Sequence, residues 1–298
     1  MKQWHKFAAM IAAAMLAPGT GAGASELIVD PPGLTGYTLL KPDAHVARPW
    51  PIVIWVNGGC RLDPVRYLDL LRAVSDEGFL VIAMGRPGSE MPDGGSADER
   101  PRPAPRTLTE RLARITPPES RTEQIPAAID WAQRSAGTKG DSLYGRIATD
   151  RVAVMGHSCG GMQALEASLD PRVSTTLVWS SGYWRYGGDL KGIRLNRSML
   201  QALHAPVLYL TGGATDIAHL NAEGDFVEIN NIPIVKATSP APHSLSFSDP
   251  RGGIFGEVGI AWLRWWLLDD HAAEALFSGA ACGLCTDERW TIERKNIP

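Results

Sequence analysis

The stretch Arg151-Val-Ala-Val-Met-Gly-His-Ser-Cys-Gly-Gly161 decides the fold, because a short apolar run ends abruptly at a serine set between glycines. Residues 152–155 predict a buried strand, and residues 162–169 predict a helix. Ser158 therefore lies on a tight strand-to-helix turn, the context that a Gly-x-Ser-x-Gly nucleophile elbow requires. The glycines remove Cβ atoms where strand and helix cross. We expect the serine side chain to project above the sheet edge, where a carbonyl group can reach it.

Short apolar runs alternate with helical patterns along most of the remaining chain. Further strands are predicted at residues 37–40, 51–56, 79–84, 173–179, 206–210 and 232–237, and helices at 62–77, 122–133 and 256–268. This alternation predicts an α/β fold with a mostly parallel central sheet and helices on both faces. Residues 86–120 are rich in Pro, Gly, Arg and Asp, which predicts a long surface excursion.

The N-terminus has the pattern of a secretory signal peptide. Lys2 and Lys6 precede the apolar run 7–17, and Ala22-Gly-Ala24 is a small-residue cleavage site. The run is shorter than the roughly 20 apolar residues that span a bilayer, and a short N-terminal core helix is the alternative. We therefore expect residues 1–24 to be a signal peptide and residues 25–298 to form one domain in a secreted or periplasmic protein.

Composition limits the possible partners. Hydrophobic residues make up 44% of the chain and there are 10 tryptophans, which is ample for a large core. The formal net charge of −3 gives no electrostatic reason to expect nucleic acid or an anionic membrane as partner. A second apolar span is absent from the sequence, so we expect no integral membrane span. The oligomeric state stays open.

The four cysteines, Cys60, Cys159, Cys282 and Cys285, allow three disulfide pairings. An oxidising compartment permits such bonds. The Cys282-Gly-Leu-Cys285 spacing also occurs in redox and zinc motifs, but no second Cys or His pair lies near it. We expect a local Cys282–Cys285 disulfide that pins the C-terminus.

The elbow and the order of elements around it resemble the α/β-hydrolase family. Within that family they are most similar to secreted esterases with a Gly-His-Ser-x-Gly-Gly elbow, such as dienelactone-hydrolase-like and cutinase-like enzymes. The resemblance covers nearly all of residues 25–298. It implies an α/β-hydrolase domain, a serine esterase acting on small or polymeric carboxylic esters, and no requirement for a cofactor or metal.

The resemblance implies a triad of Ser158, Asp216 and His243. Asp216 follows the strand predicted at 206–210, where the family carries its acid. His243 comes later still, so the chain order of serine, acid and histidine agrees with the family. Asp225 is the alternative acid, because an aspartate in a glycine-rich loop is often only a turn former.

The resemblance also implies an oxyanion hole. The stretch Asn57-Gly-Gly-Cys60 matches the His-Gly-x loop of the family, although asparagine stands where histidine is common. The expected donors are the backbone N–H groups of Gly59 and Cys159, since glycine lets the backbone approach a negative oxygen closely. The family holds these segments side by side. Cys60 and Cys159 are therefore expected either to form a disulfide or to remain as neighbouring free thiols.

Aromatic residues at the end of the strand predicted at 173–179 and just after it are candidates for substrate binding. Trp179 lies near the position where cutinase-like polyester hydrolases carry a tryptophan, and Tyr183 and Trp184 follow it. Their rings would stack on a planar acyl group or cover an apolar chain, which favours aromatic or polyester substrates. The alternative is packing, with Trp179 in the core and the others against residues 86–120.

Three other functions compete with the esterase interpretation. An amidase or peptidase would use the same triad, because both reactions share a tetrahedral intermediate. A catalytically inactive α/β-hydrolase would serve as a binding module, but Ser158, Asp216 and His243 are all present. A thiol-based redox protein would need an exposed cysteine of low pKa, and the only nearby basic residue is Arg289.

Overall fold

Nine strands form one sheet in the residues that a computed structural model describes, 24–88, 118–185 and 196–298. The strands are β1 (Glu26–Val29), β2 (Tyr37–Lys41), β3 (Trp50–Val56), β4 (Leu80–Met84), β5 (Ile147–His157), β6 (Val173–Trp179), β7 (Val207–Thr211), β8 (Ile234–Thr238) and β9 (Thr291–Lys295). Nearly all of the predicted signal peptide and most of the predicted excursion lie outside the described residues.

The sheet is parallel in its centre and antiparallel at both edges. Its strand order is β1-β2-β4-β3-β5-β6-β7-β8-β9. The six strands from β4 to β8 in this order pair in parallel, whereas β2 and β1 on one side and β9 on the other pair antiparallel. This arrangement confirms the prediction of an α/β fold with a mostly parallel sheet.

Helices cover both faces of the sheet. They are α1 (Leu68–Asp76), α2 (Gln124–Gly137), α3 (Cys159–Ala167), α4 (Met199–Ala202), α5 (His219–Glu228), α6 (Gly253–Leu268), α7 (His271–Glu274) and α8 (Gly283–Thr286), with 3-10 turns at Gly58–Cys60, Val65–Tyr67, Gly213–Thr215 and Pro250–Gly252. Helices α1 and α6 pack on one face and α2 and α3 on the other. All seven residues of β3 are buried as a result, which explains its unbroken apolar run.

The first predicted helix starts later than its sequence pattern indicated. Residues 65–67 form a 3-10 turn, and the α-helix begins at Leu68. The Asp63 carboxylate accepts the Val65 N–H at 2.9 Å, which turns the chain tightly before the helix. Val65, in the 3-10 turn, is therefore 51% exposed, whereas Leu71 and Val74 of the α-helix are buried.

The parallel strands end at the same edge of the sheet, and the candidate site lies there. The predicted oxyanion loop follows β3, Ser158 follows β5, Asp216 follows β7, and His243 follows β8. Loops at the carboxyl ends of parallel strands are where α/β proteins bind ligands. In the part of the chain that the structure describes, no helix is both long and apolar enough to cross a bilayer.

Candidate active site

Ser158 occupies a strained turn between β5 and α3. Its backbone angles are φ 52° and ψ −122°, which a non-glycine residue adopts only when its surroundings enforce them. A Cβ atom on Gly156 would lie 2.2 Å from the Gly160 carbonyl oxygen, and one on Gly160 would lie 2.3 Å from that of Val56. Both glycines are therefore required by close backbone approach. The predicted elbow geometry is present.

Ser158, His243 and Asp216 form a continuous hydrogen-bonded series. The His243 Nε2 atom lies 2.8 Å from Ser158 Oγ, and its Nδ1 atom lies 2.6 Å from Asp216 Oδ1. The Asp216 carboxylate also accepts the backbone N–H groups of Ala218 at 2.9 Å and Gly212 at 3.2 Å. Because an ionised carboxylate only accepts, His243 carries its proton on Nδ1. Nε2 is left to accept from the serine hydroxyl.

The charge on Asp216 is fixed by its partners. Burial raises the pKa of Asp216, but the hydrogen bonds from His243 and from the Ala218 N–H outweigh burial and lower the pKa to about 2. The carboxylate is therefore ionised at neutral pH although its residue is only 3% exposed. An ionised group at this position favours one tautomer of His243 and stabilises its protonated form.

Asp225, the alternative acid, belongs to a different cluster. Its carboxylate accepts the Tyr183 N–H at 2.7 Å, the Arg185 guanidinium at 2.8 Å and the Tyr209 hydroxyl at 3.1 Å. Burial raises the pKa of Asp225 to about 6 against the lowering effect of these donors. These three partners anchor the loop after β6, and His243 is not among them. The geometry favours Asp216.

The predicted oxyanion loop is held by a buried asparagine, Asn57. Gly59 has φ 65°, in the left-handed region that favours glycine. The Asn57 side chain accepts the Trp55 indole N–H at 3.0 Å and donates to the carbonyl oxygens of Arg61 at 2.9 Å and Met84 at 2.7 Å. It thus fastens the loop to its own far end and to β4. Sequence reasoning gave Asn57 no role.

A disulfide joins the two segments that carry the predicted oxyanion donors. Cys60 and Cys159 are bonded with their Cα atoms 5.2 Å apart. Cys159 is the first residue of α3, and N–H groups in the first turn of a helix have no acceptor within the helix. The bond therefore holds the Gly59 loop beside a helix N-terminus. Cys282 and Cys285 are also bonded, as predicted.

Comparison with known proteins places most of the candidate site inside a region that matches a known enzyme family. A family model described as PET hydrolase-like matches residues 108–288, more than half of the chain, including the elbow, Asp216 and His243. The chain belongs to the PET hydrolase-like family. This family has the α/β-hydrolase fold and its members are carboxylic ester hydrolases, which confirms the predicted fold class and enzyme class. A search of curated proteins gave no match to the chain.

Within this PET hydrolase-like chain, Trp179 is a core residue, which corrects the expectation that its ring contacts substrate. Only 1% of it is exposed. Its ring lies 6.1 Å from that of Trp55 and 5.7 Å from that of Phe247. A Cβ atom on Gly259 of α6 would lie 2.6 Å from the indole. At the end of β6 the side chain points to the sheet face that α6 covers, and so it is buried.

The other two predicted aromatics are partly buried and face different neighbours. Trp184 packs against the cluster of Cys60, Cys159 and Met162, beside the elbow. Tyr183 packs against the apolar cluster beneath α4 and α5. Of the two rings, that of Trp184 is therefore the one that lies beside the elbow. In residues 24–88, 118–185 and 196–298, no group of three His, Cys, Asp or Glu side chains converges as metal ligands would.

Proposed function

We propose that the protein is a secreted serine esterase that hydrolyses carboxylic esters through an acyl-enzyme on Ser158, with His243 as base and Asp216 as orienting acid. One observation carries this proposal. The hydrogen-bonded series runs without interruption from Ser158 Oγ to His243 Nε2 at 2.8 Å and from His243 Nδ1 to Asp216 at 2.6 Å. Such a series is what activates a serine hydroxyl as a nucleophile.

In the proposed acylation step, His243 Nε2 removes the Ser158 proton as Oγ bonds to the ester carbonyl carbon. The carbonyl π electrons move onto oxygen, and the N–H groups of Gly59 and Cys159 donate to the oxyanion that forms. When the carbonyl re-forms, the bond from carbon to the alcohol oxygen breaks. The alcohol leaves with the proton from His243, and the acyl group stays on Ser158.

Deacylation repeats these steps with water. Water transfers a proton to His243 as its oxygen bonds to the acyl carbon, and the same two N–H groups stabilise the second oxyanion. Collapse breaks the bond to Ser158 Oγ, which recovers the proton, and the carboxylic acid is released. Asp216 remains ionised throughout, because its pKa of about 2 lies far below neutral pH.

Secretion is supported by the cysteine chemistry. The described chain holds two disulfides, and disulfides persist mainly in oxidising compartments outside the cytoplasm. The basic, apolar and small-residue pattern of residues 1–24 is the matching export signal. Membership of the PET hydrolase-like family fits the same location.

The proposed substrates include aromatic esters and polyesters. The family takes its description from hydrolysis of PET, an aromatic polyester. Trp184 supports this choice, since a partly exposed indole lies against the disulfide beside Ser158. Stacking of aromatic rings contributes about 0.5–1.5 kcal/mol beyond burial of area.

A panel of p-nitrophenyl esters of rising chain length, with one amide and one aromatic polyester, tests the proposal. We expect Ser158→Ala to lose nearly all ester turnover, whereas Ser278→Ala, which changes a serine whose hydroxyl donates to the Pro298 carbonyl, keeps it. We expect Trp184→Ala to lower kcat/KM roughly tenfold on aromatic esters and little on acetate, the factor given by about 1.4 kcal/mol. Substantial ester turnover by Ser158→Ala would refute the mechanism, and cleavage of the amide alone would make the protein an amidase.

A further inference from the structure

Four groups behind the proposed triad form a hydrogen-bonded chain, here called the relay: the Gly58 N–H, the Tyr67 hydroxyl, the His157 imidazole and the His243 carbonyl. The Gly58 nitrogen lies 3.0 Å from Tyr67 Oη, which lies 3.0 Å from His157 Nδ1. The His157 Nε2 atom lies 2.8 Å from the His243 carbonyl oxygen. The relay thus connects the oxyanion loop to the loop that carries the proposed base.

Every hydrogen bond of the relay has a fixed direction. The His243 carbonyl only accepts, so His157 carries a proton on Nε2. A neutral imidazole then has a bare Nδ1, which accepts the Tyr67 hydroxyl proton, while the tyrosine oxygen accepts the Gly58 N–H. His157 is neutral because burial, followed by the nearby charge of His243, lowers its pKa to about 3. Each donor therefore meets one acceptor.

The relay is tightly packed. The Phe247 ring meets both Tyr67 and His157 edge-on, with 4.9 Å between ring centroids in each pair. Tyr67 and His157 are each only 4% exposed. A Cβ atom on Gly58 would lie 2.5 Å from His157 Nδ1 and 2.6 Å from Tyr67 Oη. Only glycine lets the oxyanion loop come this close, so the relay has little freedom to shift.

Through His157, the relay constrains the positions of the nucleophile and the base relative to each other. His157 immediately precedes Ser158 at the end of β5, and its ring holds the backbone of His243. His243 itself lies in a loop between β8 and the turn at Pro250–Gly252, without regular structure of its own. Because an error of about 1 Å at a reacting group can cost 10²-fold in rate, such a constraint has a direct catalytic consequence.

We propose that Tyr67 and His157 are positioning residues: through the relay they set the height of His243 over Ser158 and its distance from the oxyanion loop. This inference rests on the esterase mechanism proposed above. The relay hydrogen bonds end on the His243 backbone rather than on its reacting nitrogen, although the His157 and His243 rings lie 5.0 Å apart between centroids. Loss of Tyr67 or His157 should therefore lower kcat while leaving KM nearly unchanged, since ester binding does not use the relay.

Tyr67→Phe tests the proposal, because it keeps the ring and its packing but removes the hydroxyl that links Gly58 to His157. We expect kcat on a p-nitrophenyl ester to fall about tenfold with KM within about twofold, as for a group that acts only in the transition state. The matched control is Tyr37→Phe, whose buried hydroxyl donates to the Gln124 carbonyl at 2.9 Å on the other side of β4. It should lower the melting temperature similarly and leave kcat unchanged.

A second pair of variants tests the bond to His243 itself. His157→Gln retains an N–H donor and should keep more of kcat than His157→Leu, which has none; melting temperature is measured for both. Wild-type kcat in Tyr67→Phe and in a folded His157→Leu would overturn the proposal, and if His157→Leu does not fold, the Tyr67 and Tyr37 pair decides. Ser158→Ala is run in the same assay. If it is inactive, a negative relay result refutes only this inference; if it is active, the esterase mechanism itself is wrong.

Discussion

The two sides of the candidate site are held by different kinds of constraint. On the oxyanion side, a disulfide between residues 99 positions apart joins the loop after β3 to the start of α3. On the base side, Asp216 and His243 lie in loops after β7 and β8 that are joined by hydrogen bonds: the Thr215 hydroxyl donates to the Ala241 carbonyl at 3.0 Å, and the Ala241 N–H donates to Gly212 at 3.1 Å. Covalent and hydrogen-bonded constraints fail under different conditions, so the two sides should be separable by experiment.

The base side should be the more sensitive to a single substitution. Asp216→Asn removes the carboxylate that selects the His243 tautomer, and the equivalent change in a serine protease triad lowers turnover about 10⁴-fold. We expect a loss of this order in kcat on a p-nitrophenyl ester. The matched control is Asp225→Asn, another buried acid, which we expect to keep kcat within a few-fold. The opposite ranking of the two variants would assign the acid role to Asp225.

The oxyanion side should respond to loss of its disulfide. In the chain-entropy account, a bond that closes a loop of about 100 residues stabilises the fold by about 4.7 kcal/mol. Cys60→Ala combined with Cys159→Ala should lose stability of this order in urea unfolding. It should also lower kcat at least tenfold, toward the roughly 10²-fold loss seen when one oxyanion donor is removed.

The second disulfide supplies the control for that experiment. Cys282 and Cys285 are only 3 residues apart, for which the same account gives about 2 kcal/mol. Their double alanine variant should unfold more easily but keep full kcat, because α8 lies at the far end of the chain. Equal kcat values in the two double variants would mean that the Cys60–Cys159 bond stabilises the fold without shaping the oxyanion hole.

Local sequence patterns predicted one part of this molecule well. The elbow was predictable because its strand, its glycine spacing and its helix are all adjacent in the chain. The central strands were predictable because burial on both faces leaves continuous apolar runs. The edge strands Glu26–Val29 and Thr291–Lys295 were missed, since they are half-exposed and mix polar with apolar residues.

Contacts between distant segments were not predictable from local patterns. Trp179 is the last residue of an apolar strand. The sequence does not show which face of the sheet its ring lies on, and in the structure the ring lies on the face that α6 covers. Asn57 stands where the resembling family commonly has histidine, and one of its two backbone acceptors, the Met84 carbonyl, lies in another strand. Tyr67 and His157 are 90 residues apart, so no spacing rule joins them. The residues that surround the proposed triad are held by such contacts between distant segments, so their roles were not predictable from sequence.

The relay should make the stability of the fold depend on pH, because His157 has different pKa values in the folded and unfolded protein. Its pKa is lowered from 6.5 to about 3 in the folded protein, chiefly by burial. Between these values the unfolded chain binds more protons than the native one, so stability rises with pH. The contribution of His157 is fully present above pH 6.5 and is lost as pH falls toward 3. The charged groups that act on it are His243, Asp216 and Arg66.

Two buried acids also titrate in acid, and they act in opposite directions. The pKa of Asp216 is lowered to about 2, so its contribution to stability is lost only below its ordinary value of 3.8. The pKa of Asp225 is raised to about 6, so the native state binds more protons than the unfolded chain between 3.8 and 6, and its contribution to stability falls as pH rises through that window. The pH dependence of wild-type stability combines the contributions of all three residues, and the difference between the wild type and a His157 variant isolates that of His157.

Urea unfolding of wild type and His157→Gln from pH 7.5 to 4.5 measures that difference. Between the two pKa values of His157, the free energy of unfolding changes by about 1.4 kcal/mol per pH unit, because the unfolded chain binds one proton more than the native state. We expect the wild type to lose roughly 2.5 kcal/mol more than His157→Gln over this range, since glutamine does not take up a proton. Parallel pH profiles for the two proteins would show that His157 is not held neutral in the fold. The disulfide variants, measured in the same way, should be displaced by a constant amount at every pH, because the Cys60–Cys159 bond does not titrate.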